Sequence, residues 1–253
     1  MDTGNETSVA AAPPGARRLF CGAAVGPKGS VLARDLDIHL ITDRKRARGD
    51  LPEVVRAALL GGVDFVQVRE KTGPARNLYE TTLQILPHAR KAGAGVLVND
   101  RVDVALATGA DGVHLAGKSL PPRIARKLIG ELLLGVSVHG LAEAREAVSG
   151  GADYVTFGHV YPTSSKPGLP PRGLIELAEI VESVNIPVLA VGGIEPSNAL
   201  EVLKTGVSGI SVISTILAAP DPEKATRELR GILDVSGLRP RRRFPKQRMK
   251  GAR

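Results

Sequence analysis

The sequence predicts an α/β fold, a single (β/α)8 TIM barrel, from the order of its apolar and amphipathic stretches. Short apolar runs alternate with stretches of helical spacing eight times over about 200 residues, which is the repeat of this barrel. Several runs follow a Gly-containing segment, as expected where helix C-caps lead into strands. The chain has 253 residues, no Trp and 3% aromatic residues, so Val, Leu, Ile and Ala must fill the core, which is typical of buried parallel strands. An open doubly wound sheet is the alternative, but the sequence has no Gly-x-Gly-x-x-Gly turn for a dinucleotide.

The predicted strands and helices follow one another in strict order along the chain. The strands are short apolar runs at residues 38–42, 65–68, 96–98, 112–115, 133–136, 154–157, 188–191 and 209–212. The segments between them predict helices at residues 51–60, 75–92, 102–107, 121–129, 141–149, 174–184, 196–204 and 222–233. Several of these helices have Pro in the first turn, where the missing amide hydrogen has no helical partner to lose.

The two ends of the chain differ from this repeating part. Residues 1–34 are rich in Ala, Gly and Pro without sustained periodicity, and we interpret them as a flexible leader before a barrel of residues 35–236. The net charge of +8 arises at the other end, because residues 239–253 hold eight basic residues and no acidic one. We interpret residues 237–253 as a basic disordered tail and expect no nucleic-acid partner, since the rest of the chain is close to neutral.

Composition excludes several classes of protein. The single cysteine, Cys21, excludes a disulfide framework and a thiolate metal cluster, and it favours a reducing compartment. No apolar run approaches the roughly 20 residues of a spanning helix, and the N-terminus lacks the apolar stretch of a secretory signal. We therefore expect a cytoplasmic protein without membrane contact. The sequence leaves the oligomeric state open, including a homo-oligomer.

A long polar loop follows the predicted sixth strand, at the end of the barrel where such folds carry their chemistry. It spans residues 158–172 and contains Thr163, Ser165 and Lys166, which we predict to bind substrate. Loops of this length in a compact domain are usually functional. A solvated connector rich in Pro and Gly is the alternative.

Two loops after the last two strands predict a phosphate site. Gly192 and Gly193 follow the seventh strand, and Ile213 and Ser214 follow the eighth. Glycines let backbone N–H groups approach an anion, and a short helix start adds its dipole, at the positions where TIM barrels bind phosphate. Alternatively, the paired glycines only form a tight turn.

A group of polar residues after the second strand predicts a second anion site. Gln67, Arg69 and Lys71 alternate along an extended segment, so their side chains can face one side, and Lys166 can approach from the long loop. In the alternative interpretation, Arg69 and Lys71 only form salt bridges with Glu70 or Asp100 at the barrel rim.

The ends of the third and fifth strands supply the remaining candidates. His139 follows Ser137 just past the fifth strand and is our candidate for general acid-base chemistry, because imidazole exchanges protons near neutral pH. His114 and His159 compete for that role. The third strand ends at Asn99, which we predict to bind substrate together with Ser137.

Asp100, directly after the third strand, is the candidate metal ligand. A carboxylate in this place is able to bind Mg²⁺, although capping of the helix predicted from residue 102 is the commoner use of such an Asp. The loop at residues 115–121 offers no second carboxylate.

Seven motifs occur in the order of one known family. They are QVREK at residues 67–71, VND at 98–100, DGVHL at 111–115, GVSVH at 135–139, FGHVYPTSSK at 157–166, VGGI at 191–194 and VSGISVIS at 207–214. Together they resemble the thiamine phosphate synthase and TenI superfamily over about residues 37–233. The resemblance implies a (β/α)8 barrel that acts on the thiazole phosphate precursor of thiamine.

The synthase branch of this superfamily joins a pyrimidine diphosphate to the thiazole phosphate and releases pyrophosphate. Five residues of this sequence match the residues that hold the diphosphate, namely Gln67, Arg69, Lys71, Asn99 and Lys166. Of two aspartates that carry Mg²⁺ in that branch, Asp100 matches the first, whereas Ser119 stands at the second. The loss of one metal carboxylate argues against a synthase.

The other branch, thiazole tautomerase, aromatises the thiazole carboxylate phosphate tautomer by moving a proton and needs no metal. The resemblance implies His139 as the proton carrier, and the loop at residues 157–173 matches this branch more fully than synthase loops do. Retention of Asp100 and of the complete Gln67, Arg69 and Lys71 motif argues the other way. We predict a tautomerase without a required cofactor; the alternatives are a synthase with Mg²⁺ and a non-catalytic phosphate-binding protein.

Overall fold

Eight parallel strands close into one barrel in the computed structural model, which describes residues 1, 24–25, 31–32 and 34–245. A short antiparallel pair precedes the barrel, formed by β1 (Ala24–Val25) and β2 (Val31–Leu32). The barrel strands are β3 (Asp37–Ile41), β4 (Phe65–Val68), β5 (Gly95–Asn99), β6 (Gly112–Leu115), β7 (Leu133–Val138), β8 (Tyr154–Gly158), β9 (Val188–Val191) and β10 (Gly209–Val212). Because β10 pairs with β3, the sheet has no open edge, and the predicted (β/α)8 barrel is confirmed.

A helix follows each barrel strand. The helices are α1 (Leu51–Gly61), α2 (Ala75–Ala92), α3 (Val102–Thr108), α4 (Pro122–Ile129), α5 (Leu141–Ser149), α6 (Gly173–Ser183), α7 (Pro196–Lys204), α8 (Ser214–Leu217) and α9 (Pro222–Val235). The short α8 was not predicted, because one turn of helix leaves no periodic pattern. None of the helices that the structure describes is both long and apolar enough to span a bilayer.

Helix α1 shows how the sequence builds the outer layer. Leu51, Val55 and Leu59 recur at helical spacing and are buried, so this face packs on the barrel. The helix ends at Gly61 and is capped by Gly62, whose φ of 108° lies in the left-handed region and whose N–H donates to the carbonyls of the last turn.

Aromatic and aliphatic side chains fill the amino-terminal end of the barrel, which we call the barrel floor. It consists of Phe65, Leu97, Leu133, Tyr154, Leu189 and Phe244. His39 of β3 joins it, with its ring centroid 4.6 Å from that of Phe65. This end of the barrel is therefore closed by packing.

Phe244 belongs to the stretch that we interpreted as a disordered tail, and that interpretation does not hold for it. The side chain is 6% exposed, and its ring centroid lies 4.8 Å from that of Phe65 and 4.7 Å from that of Tyr154. The Phe244 ring is therefore part of the barrel floor.

The arginines beside Phe244 form ion pairs at the edge of the floor. Arg241 lies 2.6 Å from Glu182, and Arg243 lies 2.9 Å from Asp35. These two arginines therefore have carboxylate partners on the barrel. Residues 246–253 lie outside the described part of the chain, as does most of the predicted leader.

Candidate active site

A cavity of about 510 Å³ opens at the carboxyl ends of the barrel strands. His139 and every predicted substrate-binding residue line it, namely Gln67, Arg69, Lys71, Asn99, Ser137, Thr163, Ser165, Lys166, Gly192, Gly193, Ile213 and Ser214. The structure therefore brings these residues together, and their individual roles in binding stay predictions.

Three cations surround one buried carboxylate at the edge of the cavity. Asp43 lies 3.4 Å from Lys71 Nζ and 3.7 Å from both Arg46 Nε and Arg69 Nη1, and its side chain is 7% exposed. We call these three basic residues with Asp43 the cation cluster. Two positive charges remain after Asp43 is neutralised, so the cluster favours an anion in the cavity.

Burial shapes the electrostatics of this cluster. It lowers the pKa of Arg69, against the opposing effects of the Asp43 and Asp100 carboxylates. A guanidinium nevertheless stays charged in a protein, so burial makes Arg69 a less hydrated cation that gains more from an anionic ligand. The alternative interpretation paired Arg69 and Lys71 with Glu70 or Asp100, whereas both residues form their ion pairs with Asp43, and Glu70 pairs with Arg44.

Arg46 is a residue of the site that the sequence did not predict. Its Nη1 donates to Ser164 Oγ at 2.7 Å and to Ser214 Oγ at 3.0 Å, so it connects the loop after β3 with the long loop and with the start of α8. The available signal was its place in the loop after the first barrel strand, where TIM barrels carry functional residues.

Amide groups join the second and third barrel strands at the cavity. Gln67 Nε2 donates to Asn99 Oδ1 at 2.6 Å, and Asn99 Nδ2 donates to Asp100 Oδ2 at 2.6 Å. Each residue thereby fixes the orientation of the next.

Asp100 does not cap the following helix. The residue before α3 is Arg101, which makes no side-chain cap, whereas Asp100 Oδ1 accepts hydrogen bonds from the Ala116 N–H and from the Ser119 hydroxyl. The left-handed φ of 62° at Asp100 turns its carboxylate toward that loop. The alternative interpretation as a helix cap is therefore wrong.

Asp100 is also the only carboxylate of the metal site that the resemblance implies. Among the described residues no group of three or more His, Cys, Asp or Glu side chains could hold a metal ion. Mg²⁺ is nevertheless often bound by one carboxylate together with substrate phosphate oxygens and water. The donor set thus fits a Mg²⁺ ion that brings most of its ligands with the substrate.

His139 and Lys166 contact each other across the cavity. Lys166 Nζ lies 2.7 Å from His139 Nε2, and His139 Nδ1 lies 3.2 Å from Glu143 Oε2. Burial is the main cause that lowers the pKa of Lys166, with a smaller contribution in the same direction from Arg172. Both ring nitrogens of His139 are therefore occupied by protein groups.

The two competing histidines differ in their position. His159 lines the cavity, and its Nε2 contacts the Leu169 carbonyl at 3.2 Å, within the long loop. His114 is 1% exposed, and burial lowers its pKa to about 4. A neutral, buried ring of this kind is suited to orient other groups.

The paired glycines after β9 are required by the long loop. Gly192 and Gly193 have φ values of 101° and 65°. A Cβ on Gly193 would lie 2.6 Å from the Pro162 carbonyl oxygen, and a Cβ on Gly192 would lie 2.3 Å from His159 Cβ. Tight packing against this loop accounts for both glycines, and phosphate binding by their N–H groups stays a prediction.

A family model and two relatives at 47% identity indicate one family. A family model described as thiamine monophosphate synthase matches residues 38–216. The thiamine-phosphate synthase of Roseiflexus sp. (strain RS-1) is 47% identical over 200 residues, which cover 78% of this chain and 84% of that protein. The thiamine-phosphate synthase of Pyrococcus furiosus is 47% identical over 205 residues, which cover 80% of this chain and 97% of that protein.

A solved structure gives the same answer. The thiamine phosphate pyrophosphorylase from Pyrococcus furiosus superposes with a TM-score of 0.75 at 45% identity, covering 81% of this chain and 98% of that one. The likeness therefore extends over the barrel from end to end.

Proposed function

The chain belongs to the thiamine monophosphate synthase family, and we propose that it is a thiamine-phosphate synthase, which joins hydroxymethylpyrimidine diphosphate to thiazole phosphate and releases pyrophosphate. The prediction of a thiazole tautomerase is wrong, because relatives at 47% identity are synthases. The expectation that no cofactor is required depended on that activity and falls with it.

The observation that carries the proposal is the excess positive charge of the cation cluster. Arg69 and Lys71 line the cavity, and Lys166 enters it from the opposite loop. A substrate with one phosphate and one carboxylate needs less positive charge than a diphosphate and a second phosphate together. The cavity is therefore better matched to two phosphorylated substrates.

The chemistry needs a site that stabilises a leaving group. As the bond between the pyrimidine methylene carbon and the diphosphate oxygen breaks, negative charge develops on the diphosphate, and the thiazole nitrogen then attacks the cationic carbon. Cations held in place before the reaction stabilise that charge without reorganisation. Asp43 holds Arg69 and Lys71 in this way, since both contact its carboxylate.

Magnesium would add to this stabilisation, since it neutralises charge on the diphosphate when it is bound. Asp100 is the residue of this chain that would hold the ion. Asn99 orients the Asp100 carboxylate through a 2.6 Å hydrogen bond, and Ser119 donates to it in place of a second carboxylate.

In a synthase, His139 would have a positioning role through its contact with Lys166, and it would not transfer a proton to a thiazole. Lys166 Nζ is 2.7 Å from His139 Nε2, so the imidazole accepts from the ammonium and holds it at the cavity wall. His139 would then hold Lys166 in place to bind the diphosphate, rather than transfer a proton itself.

The proposal is tested by incubating the purified protein with both phosphorylated substrates, with and without Mg²⁺. We expect thiamine phosphate and pyrophosphate to form in equal amounts and only when both substrates are present. Product without pyrophosphate release, or no product from a folded protein at any Mg²⁺ concentration, would contradict it.

A further inference from the structure

A chain of hydrogen bonds runs from the barrel floor to the cavity. The Tyr154 hydroxyl lies 2.9 Å from His114 Nδ1, and His114 Nε2 lies 2.8 Å from Ser137 Oγ. Tyr154 and His114 are 0% and 1% exposed, whereas Ser137 lines the cavity. A serine that lines the cavity is thus connected to a side chain of the floor.

The direction of each hydrogen bond follows from burial. Among the described residues His114 Nδ1 is the hydrogen-bond partner of the Tyr154 hydroxyl. A fully buried hydroxyl proton without an acceptor is strongly disfavoured, so Tyr154 donates to Nδ1. A ring nitrogen that accepts a hydrogen bond carries no proton, so the ring of His114 is neutral and its single proton lies on Nε2.

His114 Nε2–H must therefore donate to Ser137 Oγ, and the serine's own proton is left for another acceptor. We propose that Tyr154 and His114 are positioning residues that direct the hydroxyl proton of Ser137 into the cavity, toward an anionic oxygen of the diphosphate substrate. The identity of that anion rests on the proposed function. The proton arrangement rests on the contacts alone.

The packing around Tyr154 keeps its hydroxyl in reach of His114. A Cβ on Gly135 would lie 2.2 Å from Tyr154 Cζ and 2.3 Å from the hydroxyl oxygen, so only a glycine leaves room for the ring. Gly135 and Ser137 are two residues apart in β7 and face the same side of the strand. From below, the Phe244 ring contacts Tyr154 at a centroid distance of 4.7 Å.

A double-mutant cycle tests the proposal. Ser137→Ala is expected to lower kcat for thiamine phosphate formation about ten- to a hundredfold, because a hydrogen bond to developing charge is lost. Tyr154→Phe is expected to lower kcat about three- to tenfold, because the Nε2–H tautomer is no longer enforced. In the Ser137→Ala background, Tyr154→Phe should have no further effect on kcat.

The matched control is Tyr79→Phe, which removes a partly exposed hydroxyl on α2 and should leave kcat unchanged. Additive effects of Ser137→Ala and Tyr154→Phe would overturn the proposal, because they would show that Tyr154 acts on catalysis by a route other than the serine.

The tautomer of His114 gives a readout that is independent of activity. ¹⁵N NMR of the wild-type protein is expected to show the proton on Nε2, and a proton on Nδ1 would overturn the proposal even if Tyr154→Phe failed to fold. A wild-type protein with the Nε2 proton but without synthase activity would contradict the proposed function and leave the arrangement standing.

Discussion

The two ends of the barrel interior differ in what their side chains do: the floor is closed by apolar packing, whereas the cavity holds excess positive charge. At the floor, Phe65, Tyr154 and Phe244 pack against one another, with ring centroids of Tyr154 and Phe244 4.7 Å apart. At the cavity, Asp43 forms ion pairs with three cations, Arg46, Arg69 and Lys71, so the group carries excess positive charge. Burying excess charge costs stability, whereas closing an apolar end contributes it. The comparison teaches that stability is concentrated at the strand amino ends and ligand binding at the carboxyl ends.

The largest expected effect is on activity and concerns Arg69 at the cavity end of the barrel. Arg69→Met should lower kcat/KM for the diphosphate substrate about a hundred- to a thousandfold, because a preorganised cation at the leaving group is lost. Steady-state kinetics measure this. The matched control is Arg44→Met, since Arg44 is half exposed and pairs with Glu70 outside the cavity; equal losses in both variants would contradict a specific role of Arg69.

The second prediction concerns stability and a residue of the barrel floor, Phe244. Phe244→Ala should lower the free energy of unfolding by about 3 kcal/mol, because a buried aromatic ring leaves a cavity in the floor. Urea unfolding measures the change, with Val235→Ala as control because Val235 is 83% exposed. An unchanged midpoint in Phe244→Ala would show that the segment contributes nothing to the floor.

A third, smaller effect concerns the metal. Ser119→Asp should strengthen Mg²⁺ or Mn²⁺ binding to the substrate-free protein about tenfold, because a second carboxylate then lies beside Asp100. Isothermal titration or Mn²⁺ electron paramagnetic resonance reads out binding without turnover. Leu120→Asp adds the same charge at an exposed neighbour and should have little effect; equal strengthening in both would point to charge alone.

The smallest expected effect is a pH dependence at the cavity. Because burial lowers the pKa of Lys166, its ammonium loses its proton at a lower pH than an ordinary lysine, and kcat/KM should fall earlier as the pH rises. A pH profile measures this, and Lys166→Arg should move the decline to higher pH because a guanidinium stays charged. An identical alkaline limb in both proteins would exclude Lys166 as its source.

Several parts of the site were predictable because their signal is local in the chain. The alternation of strands and helices predicted the barrel, and the strand ends then indicated Gln67, Asn99 and Lys166 as neighbours across the cavity. The rule that functional groups follow parallel strands in a TIM barrel converts strand order into proximity. This rule does not show which cations pair with the same carboxylate. Arg46, which shares Asp43 with Arg69 and Lys71, was therefore not predicted.

The choice between two activities was wrong for a similar reason. His139 and the loop pattern favoured a proton transfer, whereas relatives at 47% identity are thiamine-phosphate synthases. In the structure His139 contacts Lys166 and Glu143. Short motifs indicate which residues are present, but their chemistry depends on contacts between segments far apart in the chain.

The sequence by itself predicted the barrel and most of the residues at the carboxyl ends of its strands, because hydrophobic periodicity and strand order are local properties. Only the tertiary structure decided that Phe244 closes the floor, that Asp43 holds three cations, and that His114 lies between Tyr154 and Ser137. Those contacts join residues from different strands and from the far end of the chain. They form because eight strands must close around one interior, which brings together side chains that no spacing rule relates.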